Sequence, residues 1–398
     1  MTRNFQIVDA DAHVNPPATF WAEYLPSHLR DLAPKIEHAE DADYVVFEGS
    51  RRKVNLLNAQ AGRSGKDFKV NGRLSDARSG GWMPGARLED MDQDGMDAAV
   101  LFGGGPLGTS NEELFIESFH AYNRWLADFC SYAPDRLCGV AYVPIREVDE
   151  AIDMMRKAAA LGFTCVNIPA FPMSSSKTEK FNGAIAQTLA LTGDPDGPRH
   201  YGQPEFDPLW KTVVDLGLTL TVHLGARAAR WTDPEKFLID LPMTKVAMAE
   251  PIATLIYTAV FDRFPDLKFA TIESGVGWFA WFAGYMDATW SKQRFWTKCP
   301  IREAPSFYMD QNIYGSFIDE RVGILNRNLP GGRNIMWSSD YPHSETTYPN
   351  SQAVIDRIFE GIPEEDVAMI CGSRAKQLFR VGDGRCNRHP SQSAAAAE

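Results

Sequence analysis

From about residue 97 onward, short runs of β-branched and apolar residues alternate with longer segments of helical periodicity. That alternation restricts the chain to parallel strands joined by crossover helices. Eight strand-like runs are readable: IVDADAHV (7–14), DAAVLFGG (97–104), RLCGVAYVPI (136–145), FTCVNIPA (163–170), LTLTVHLG (218–225), KFATIESG (268–275), NIYGSFI (312–318) and NIMWSSDYP (334–342). Between them EVDEAIDMMRKAAALG carries its apolar residues on one face, and DPLWKTVVDLG leads into the fifth strand, as helices would. Eight βα units without a linker fit a closed cylinder better than an open doubly wound sheet. The expected architecture is therefore an α/β chain folded as a distorted (β/α)8 TIM barrel with long loop insertions, one domain over residues 1–382.

The chain has 398 residues, more than such a barrel needs, and the surplus is localised. Residues 31–85, rich in charge and glycine, are far longer than an ordinary βα connection and are expected to form a lid or a subunit contact. Further excess lies at 192–208, before the fifth strand, and at 224–245, after it. Loops that follow strands lie on the catalytic face of a barrel, so the first and third insertions are placed to shape a pocket. The tail 383–398, ending SQSAAAAE, is small and polar and expected to fray.

Composition narrows the functional classes. Acidic side chains outnumber basic ones, 52 to 40, giving a formal charge of −12 that disfavours a nucleic-acid backbone or an anionic membrane as partner. No run of apolar residues is long enough to span a bilayer, and MTRNFQIVDADAH enters a strand without a signal-peptide core, so a cytoplasmic location is expected. The six cysteines lack C-x-x-C spacing, which argues against a zinc ribbon, a redox pair or a disulfide framework.

The chemistry lies where polar residues end apolar strands. Asp11 and His13 stand two apart at the end of the first strand, so the pleat directs both to one side. His223 closes LTLTVH, Glu273 closes KFATIE and Asp340 closes NIMWSSD, each at the end where barrels place their working groups. Three carboxylates and two imidazoles cannot share a dry mouth without compensating positive charge. A divalent cation supplies it, and imidazole nitrogen with carboxylate oxygen suits zinc, manganese or iron, zinc being the first expectation. A lone Asp-x-His is more often a hydrogen-bonded strand end, but recurrence on four strands of one barrel outweighs that reading.

Glu273 is open to three roles: a ligand, a base beside the metal, or a partner of Arg227. His343, in DYPHSE, is a proton donor, an orienter of Asp340 or a packed loop residue. Arg227 and Arg230, in GARAAR, are candidates to hold a substrate carboxylate, against the commoner fate of solvent exposure. His28, His38, His120, His200 and His389 read as surface or capping residues. Trp278 and Trp281 form an apolar helical face suited to core or dimer contact, so a homodimer is expected.

The runs VDADAHVNPP, VHLG, IESGVGW and SSDYPHSE, in this order, resemble the amidohydrolase superfamily, in particular its aminocarboxymuconate-semialdehyde decarboxylase branch, over residues 5–380. The resemblance implies a mononuclear metal bound by Asp11, His13, His223 and Asp340 at the mouth of a distorted barrel. Two departures stand out. Many relatives begin with His-x-His or Glu-x-His where this chain has Asp11 and His13, and many end the sixth strand with a catalytic histidine where this chain has Glu273. Asn167, where binuclear members often carry a bridging lysine, favours one metal over two.

The leading expectation is a metal-dependent decarboxylase acting without organic cofactor on a small aromatic or unsaturated carboxylic acid, with Asp340, His343 and Glu273 as catalytic groups. The same site would serve a hydrolase in which Asp340 or Glu273 takes a proton from metal-activated water. A non-catalytic barrel that only binds a ligand is the third reading.

Overall fold

The structure is a computed structural model describing residues 4–17, 19–63, 65–103, 106–223, 227 and 233–383. All eight expected strands form: β1 (Val8–Val14), β2 (Ala98–Gly103), β3 (Leu137–Gly139, continued by Ala141–Tyr142), β4 (Cys165–Asn167), β5 (Thr219–His223), β6 (Phe269–Ile272), β7 (Ile313–Phe317) and β8 (Ile335–Trp337). Every ladder between neighbours is parallel, and the spatial order follows the sequence. Backbone bonds from Asp340 N to Asp11 O (3.0 Å) and from His13 N to Tyr341 O (2.5 Å) join the last strand to the first. The molecule is a (β/α)8 barrel.

Side chains from alternate positions fill the barrel, among them Val8, Ala10, Val100, Ala270, Ile272 and Met336, all buried. Its lower end is stopped by the C-terminal helix Arg374–Phe379. Phe379 packs into the same cluster, and the carbonyls of Phe379 and Leu378 accept from Thr164 Oγ1 (2.7 Å) and Thr219 Oγ1 (2.8 Å) at the starts of β4 and β5. Outside the strands lie the expected helices, including Val148–Ala160 and Asp207–Leu216, the latter ended by Gly217 at φ +62°, a conformation glycine adopts without strain.

The 31–85 insertion contains a four-stranded antiparallel sheet, Lys35–His38, Asp43–Phe47, Ser50–Asn55 and Asn71–Gly72. Glu48 and Gly49, both at positive φ, make the two-residue turn that pairs Phe47 with Ser50. Glu48 Oε1 accepts from Thr109 Oγ1 (2.6 Å), Ser110 N (2.8 Å) and Ser110 Oγ (2.8 Å), so the hairpin tip is bound to the loop after β2 on the upper face. At the base of the insertion Gly81 O accepts from Asn15 N, and Arg78 grips Asp90 through two nitrogens (2.6 and 2.7 Å). Asp90 also accepts from the hydroxyls of Tyr341 and Tyr348, which belong to the loop after β8. The insertion thus packs on the rim of the barrel mouth. Of the third insertion, 224–226 and 228–232 lie outside the described residues, and the rest forms the helix Pro234–Val246, capped by Asp233. The C-terminal tail from 384 also lies outside them.

Candidate metal centre

Period-two alternation alone does not place Asp11 and His13. Val8 and Ala10 already point into the barrel, so Asp11 would face outward on a regular strand. The pairing with β2 slips between Asp9 and Ala12: Asp9 lies opposite Ala99, Ala12 opposite Leu101. The extra residue of this bulge reverses the parity, and both Asp11 and His13 turn into the mouth. Glu273 and Asp340 reach it differently. They lie just past the ends of β6 and β8 with φ of +55° and +58°, a left-handed conformation that costs an L-residue about 1 kcal/mol and is characteristic of functional sites.

The groups converge in two overlapping sets that share His13 and Glu273. His13 Nε2 lies 3.3 Å from Asp11 Oδ1 and 3.1 Å from Asp340 Oδ1. His223 Nε2 lies 3.2 Å from Asp11 Oδ1 and 3.7 Å from Glu273 Oε2. His343 Nδ1 is 3.2 Å from Asp340 Oδ1, and its ring stacks on His13 at 3.7 Å between centroids. One donor atom from each of Asp11, His13, His223 and Glu273 lies within 4.8 Å of the others, as does one from each of His13, Glu273, Asp340 and His343. Asp11, His13, Glu273 and Asp340 are all at most 3 % exposed.

Four atoms of this cluster, Asp11 Oδ2, His13 Nε2, Glu273 Oε2 and Asp340 Oδ1, are buried without a hydrogen bond. Such atoms are costly unless something binds them. Without a cation, charge balance falls on protons and on one lysine. Burial pulls the His13 imidazole down, but Asp11 and Asp340 outweigh it and push it up to about 10. Burial also raises the Asp340 carboxyl, yet His343 and His13 hold it well below the usual range. Glu273 is raised by burial and by the charge of Asp340. Three carboxylates and one imidazole with unsatisfied buried atoms, beside the imidazole of His223, fit a divalent cation, which Asp11, His13, His223 and Asp340 would hold.

Several neighbours escaped the sequence reading. Lys245, on the helix after β5, donates to Glu273 Oε1 at 2.9 Å and approaches Glu345 Oε2 at 3.5 Å. Its only sequence signal is an isolated cation in the apolar run MTKVAMA. Glu273 is therefore paired with Lys245, whereas Arg227, half exposed, lies 3.7 Å from Asp240. Arg230 lies outside the described residues. Asp9, beneath the cluster, accepts from Ser339 N (2.9 Å), Asp11 N (3.1 Å) and the Ser339 hydroxyl, and burial raises its carboxyl to about 7. Arg87 is buried, donates to the carbonyls of His13 and Gly80, and stacks on Tyr341. Phe102 walls the mouth, 4.9 Å from the His223 ring. Asn167 accepts from Thr221 (3.0 Å). The other described histidines are peripheral: His28 pairs with Glu113, His38 with Asp43, and His200 accepts from Gly202 N, while His120 lies on the helix Glu112–Cys130.

The chain matches the "Amidohydrolase" family model over residues 8–381. A gamma-resorcylate decarboxylase of Rhizobium radiobacter is 24% identical over 314 residues, 75% of this chain and 87% of that protein. Among solved structures, an amidohydrolase from Mycobacterium avium subsp. paratuberculosis K-10 superposes with a TM-score of 0.72 at 19% identity, over 95% of this chain and 100% of that one. A dihydroxybenzoic acid decarboxylase from Polaromonas sp. JS666, holding manganese and the inhibitor 2-nitroresorcinol, gives a TM-score of 0.63 at 17% identity, over 97% and 98%. With the model spanning nearly the whole barrel, the chain belongs to the amidohydrolase family of enzymes.

Proposed function

We propose that the protein is a metal-dependent decarboxylase of a small aromatic carboxylic acid bearing an oxygen beside the carboxylate. The observation that carries the reading is the set of four buried, unpartnered polar atoms converging from β1, β6 and β8. The names of its relatives, gamma-resorcylate decarboxylase and dihydroxybenzoic acid decarboxylase, support the substrate class. A bound divalent ion would supply Lewis acidity, drawing in the substrate's oxygens and stabilising the negative charge that develops as CO₂ departs.

The chain's own residues supply the rest. Phe102, buried beneath the cluster, packs against the His223 ring and fixes it, and Arg227 supplies a cation for a substrate anion at the rim. When the ring-to-carboxylate bond breaks, its electron pair stays on the ring carbon and takes a proton there. His343, in contact with Asp340, is placed to deliver that proton. The hairpin tip anchored by Glu48 serves as the fixed end of a lid over the mouth.

The ion is either zinc, suited to two imidazoles, or manganese, suited to a carboxylate-rich set and present in the Polaromonas enzyme. A homodimer is supported by helix Phe279–Thr297, on which Trp281, Tyr285 and Trp296 share one exposed face, while Trp278 is turned toward the barrel and donates to Ser274 O. Light scattering after gel filtration tests it, and a monomer would remove it. A cytoplasmic location is supported by cysteines buried as small apolar residues, Cys130, Cys138, Cys165 and Cys371. Among the described residues no helix is long and apolar enough to cross a membrane.

The test is turnover of a panel of hydroxylated benzoates, including gamma-resorcylate and 5-carboxyvanillate, by the metal-loaded protein. Stoichiometric CO₂ release that a chelator abolishes and added metal restores is the expected result. Turnover of esters, amides or lactones without CO₂ release would move the assignment to the hydrolases.

A further inference from the structure

Glu273 uses its two oxygens unequally. Oε1 accepts from Lys245 Nζ at 2.9 Å, while Oε2 is buried, has no hydrogen-bond partner and lies 3.7 Å from His223 Nε2. A carboxylate serving only as the partner of a lysine gains nothing from holding its second oxygen dry and unpaired. The backbone reinforces the placement: Glu273 N donates to Ser316 Oγ at 2.8 Å and its φ is +55°. A donor atom of Glu273 belongs to both groups of four that lie within 4.8 Å, one with Asp11, His13 and His223, the other with His13, Asp340 and His343.

We propose that Glu273 is an additional metal ligand through Oε2 alone, and that Lys245 is the positioning residue that holds its other oxygen away from the ion. The proposal rests on the metal centre described above and adds a third carboxylate to it. Charge accounts for the pairing. Asp11 and Asp340 already neutralise a divalent ion, a third carboxylate leaves one negative charge, and the lysine ammonium cancels it. Lys245 comes from the helix after β5, with its side chain only 20% exposed, and so delivers that charge into the mouth from a separate element. The outcome is an oxygen-rich site, with Lys245 lying between Glu273 and Glu345, whose donor set favours a hard ion such as Mn²⁺ over Zn²⁺.

The experiment uses full-length protein stripped with a chelator and titrated with Mn²⁺, free ion being followed by electron paramagnetic resonance and bound ion by metal analysis. Glu273→Gln and Lys245→Met should each weaken Mn²⁺ binding about 10- to 100-fold, and Lys245→Arg, which keeps a cationic donor, should stay within about threefold of wild type. In the Co²⁺-substituted protein, Glu273→Gln should intensify the visible absorption band as the coordination number falls. Circular dichroism identifies any variant that fails to fold, and the Co²⁺ spectrum of Lys245→Arg then serves as the folded comparison. Wild-type Mn²⁺ affinity and an unchanged Co²⁺ band in Glu273→Gln would exclude Glu273 from the ion while leaving the metal centre intact. Wild-type affinity in Lys245→Met alone would remove the positioning role. A wild-type protein that takes up no metal would overturn the centre itself.

Discussion

Replacing Asp340 by asparagine changes one oxygen to an amide nitrogen at the meeting point of β1 and β8 and removes one of the buried charges. Asp340 Oδ1 faces His13 Nε2 at 3.1 Å and His343 Nδ1 at 3.2 Å, so two charge-assisted contacts weaken together. Removing one partner of such buried ion pairs costs about 3 to 5 kcal/mol. If it falls on the transition state, kcat/KM drops about 10²- to 10⁴-fold. Asparagine is the informative replacement because the residue sits at φ +58°, which asparagine tolerates and most other side chains do not. The backbone bonds Asp340 N to Asp11 O and His343 N to Asp340 O survive the change, so Tm should move by no more than about 3 °C. The assay is CO₂ release from a hydroxybenzoate, with metal content and a thermal melt on the same preparation. Turnover within tenfold of wild type would refute the role of Asp340, and a collapsed melt would show that the residue serves stability instead.

Chelator-treated protein should be pH-sensitive through His13, whose imidazole is raised from 6.5 to about 10, Asp11 and Asp340 outweighing burial. Because the folded state binds this proton more tightly, its stabilisation is complete below about pH 6.5 and lost as pH rises toward 10, so Tm should fall across that window; a rising Tm there would refute the assignment. Metal competes for the same nitrogen, so Mn²⁺ affinity measured by titration should increase with pH, and a pH-independent affinity would exclude His13 as a ligand. Phe379→Ala should cost roughly 3 to 5 kcal/mol at the barrel floor, measured by urea unfolding, while kcat per folded molecule stays near wild type. Glu48→Ala frees the hairpin tip from Thr109 and Ser110 and should raise KM several-fold with little change in Tm; unchanged KM would detach the insertion from substrate access.

Much of the site was legible because the strands are otherwise apolar. A polar residue ending VDADAH, LTLTVH, KFATIE or NIMWSSD has few reasons to be there except chemistry, and the structure brings Asp11, His13, His223, Glu273 and Asp340 together. What stayed hidden has identifiable causes. The β1 bulge is a register event involving β2, about 90 residues away, and no composition rule marks it. The insertion's sheet runs through KIEH and SRRKVN, largely exposed segments without the alternation that marks a half-buried strand. Lys245 meets Glu273 only because the helix after β5 folds back over the mouth, a tertiary fact that a single lysine cannot announce. The strand ends were overextended for a physical reason too: Glu273 and Asp340 have left the ladder for the left-handed region.

The seam between β1 and β8 runs directly under the cation cup, with Asp11 and His13 on one lip and Asp340 on the other. A nascent chain still short of residue 340 is therefore an unclosed cylinder with an incomplete set of the side chains that would hold an ion, and no compact N-terminal fragment can assemble them in advance. Once the ends meet, a bound ion would act as a rivet across the join, so chelation should loosen the oldest and newest parts of the polypeptide from each other before it disturbs the wall between them.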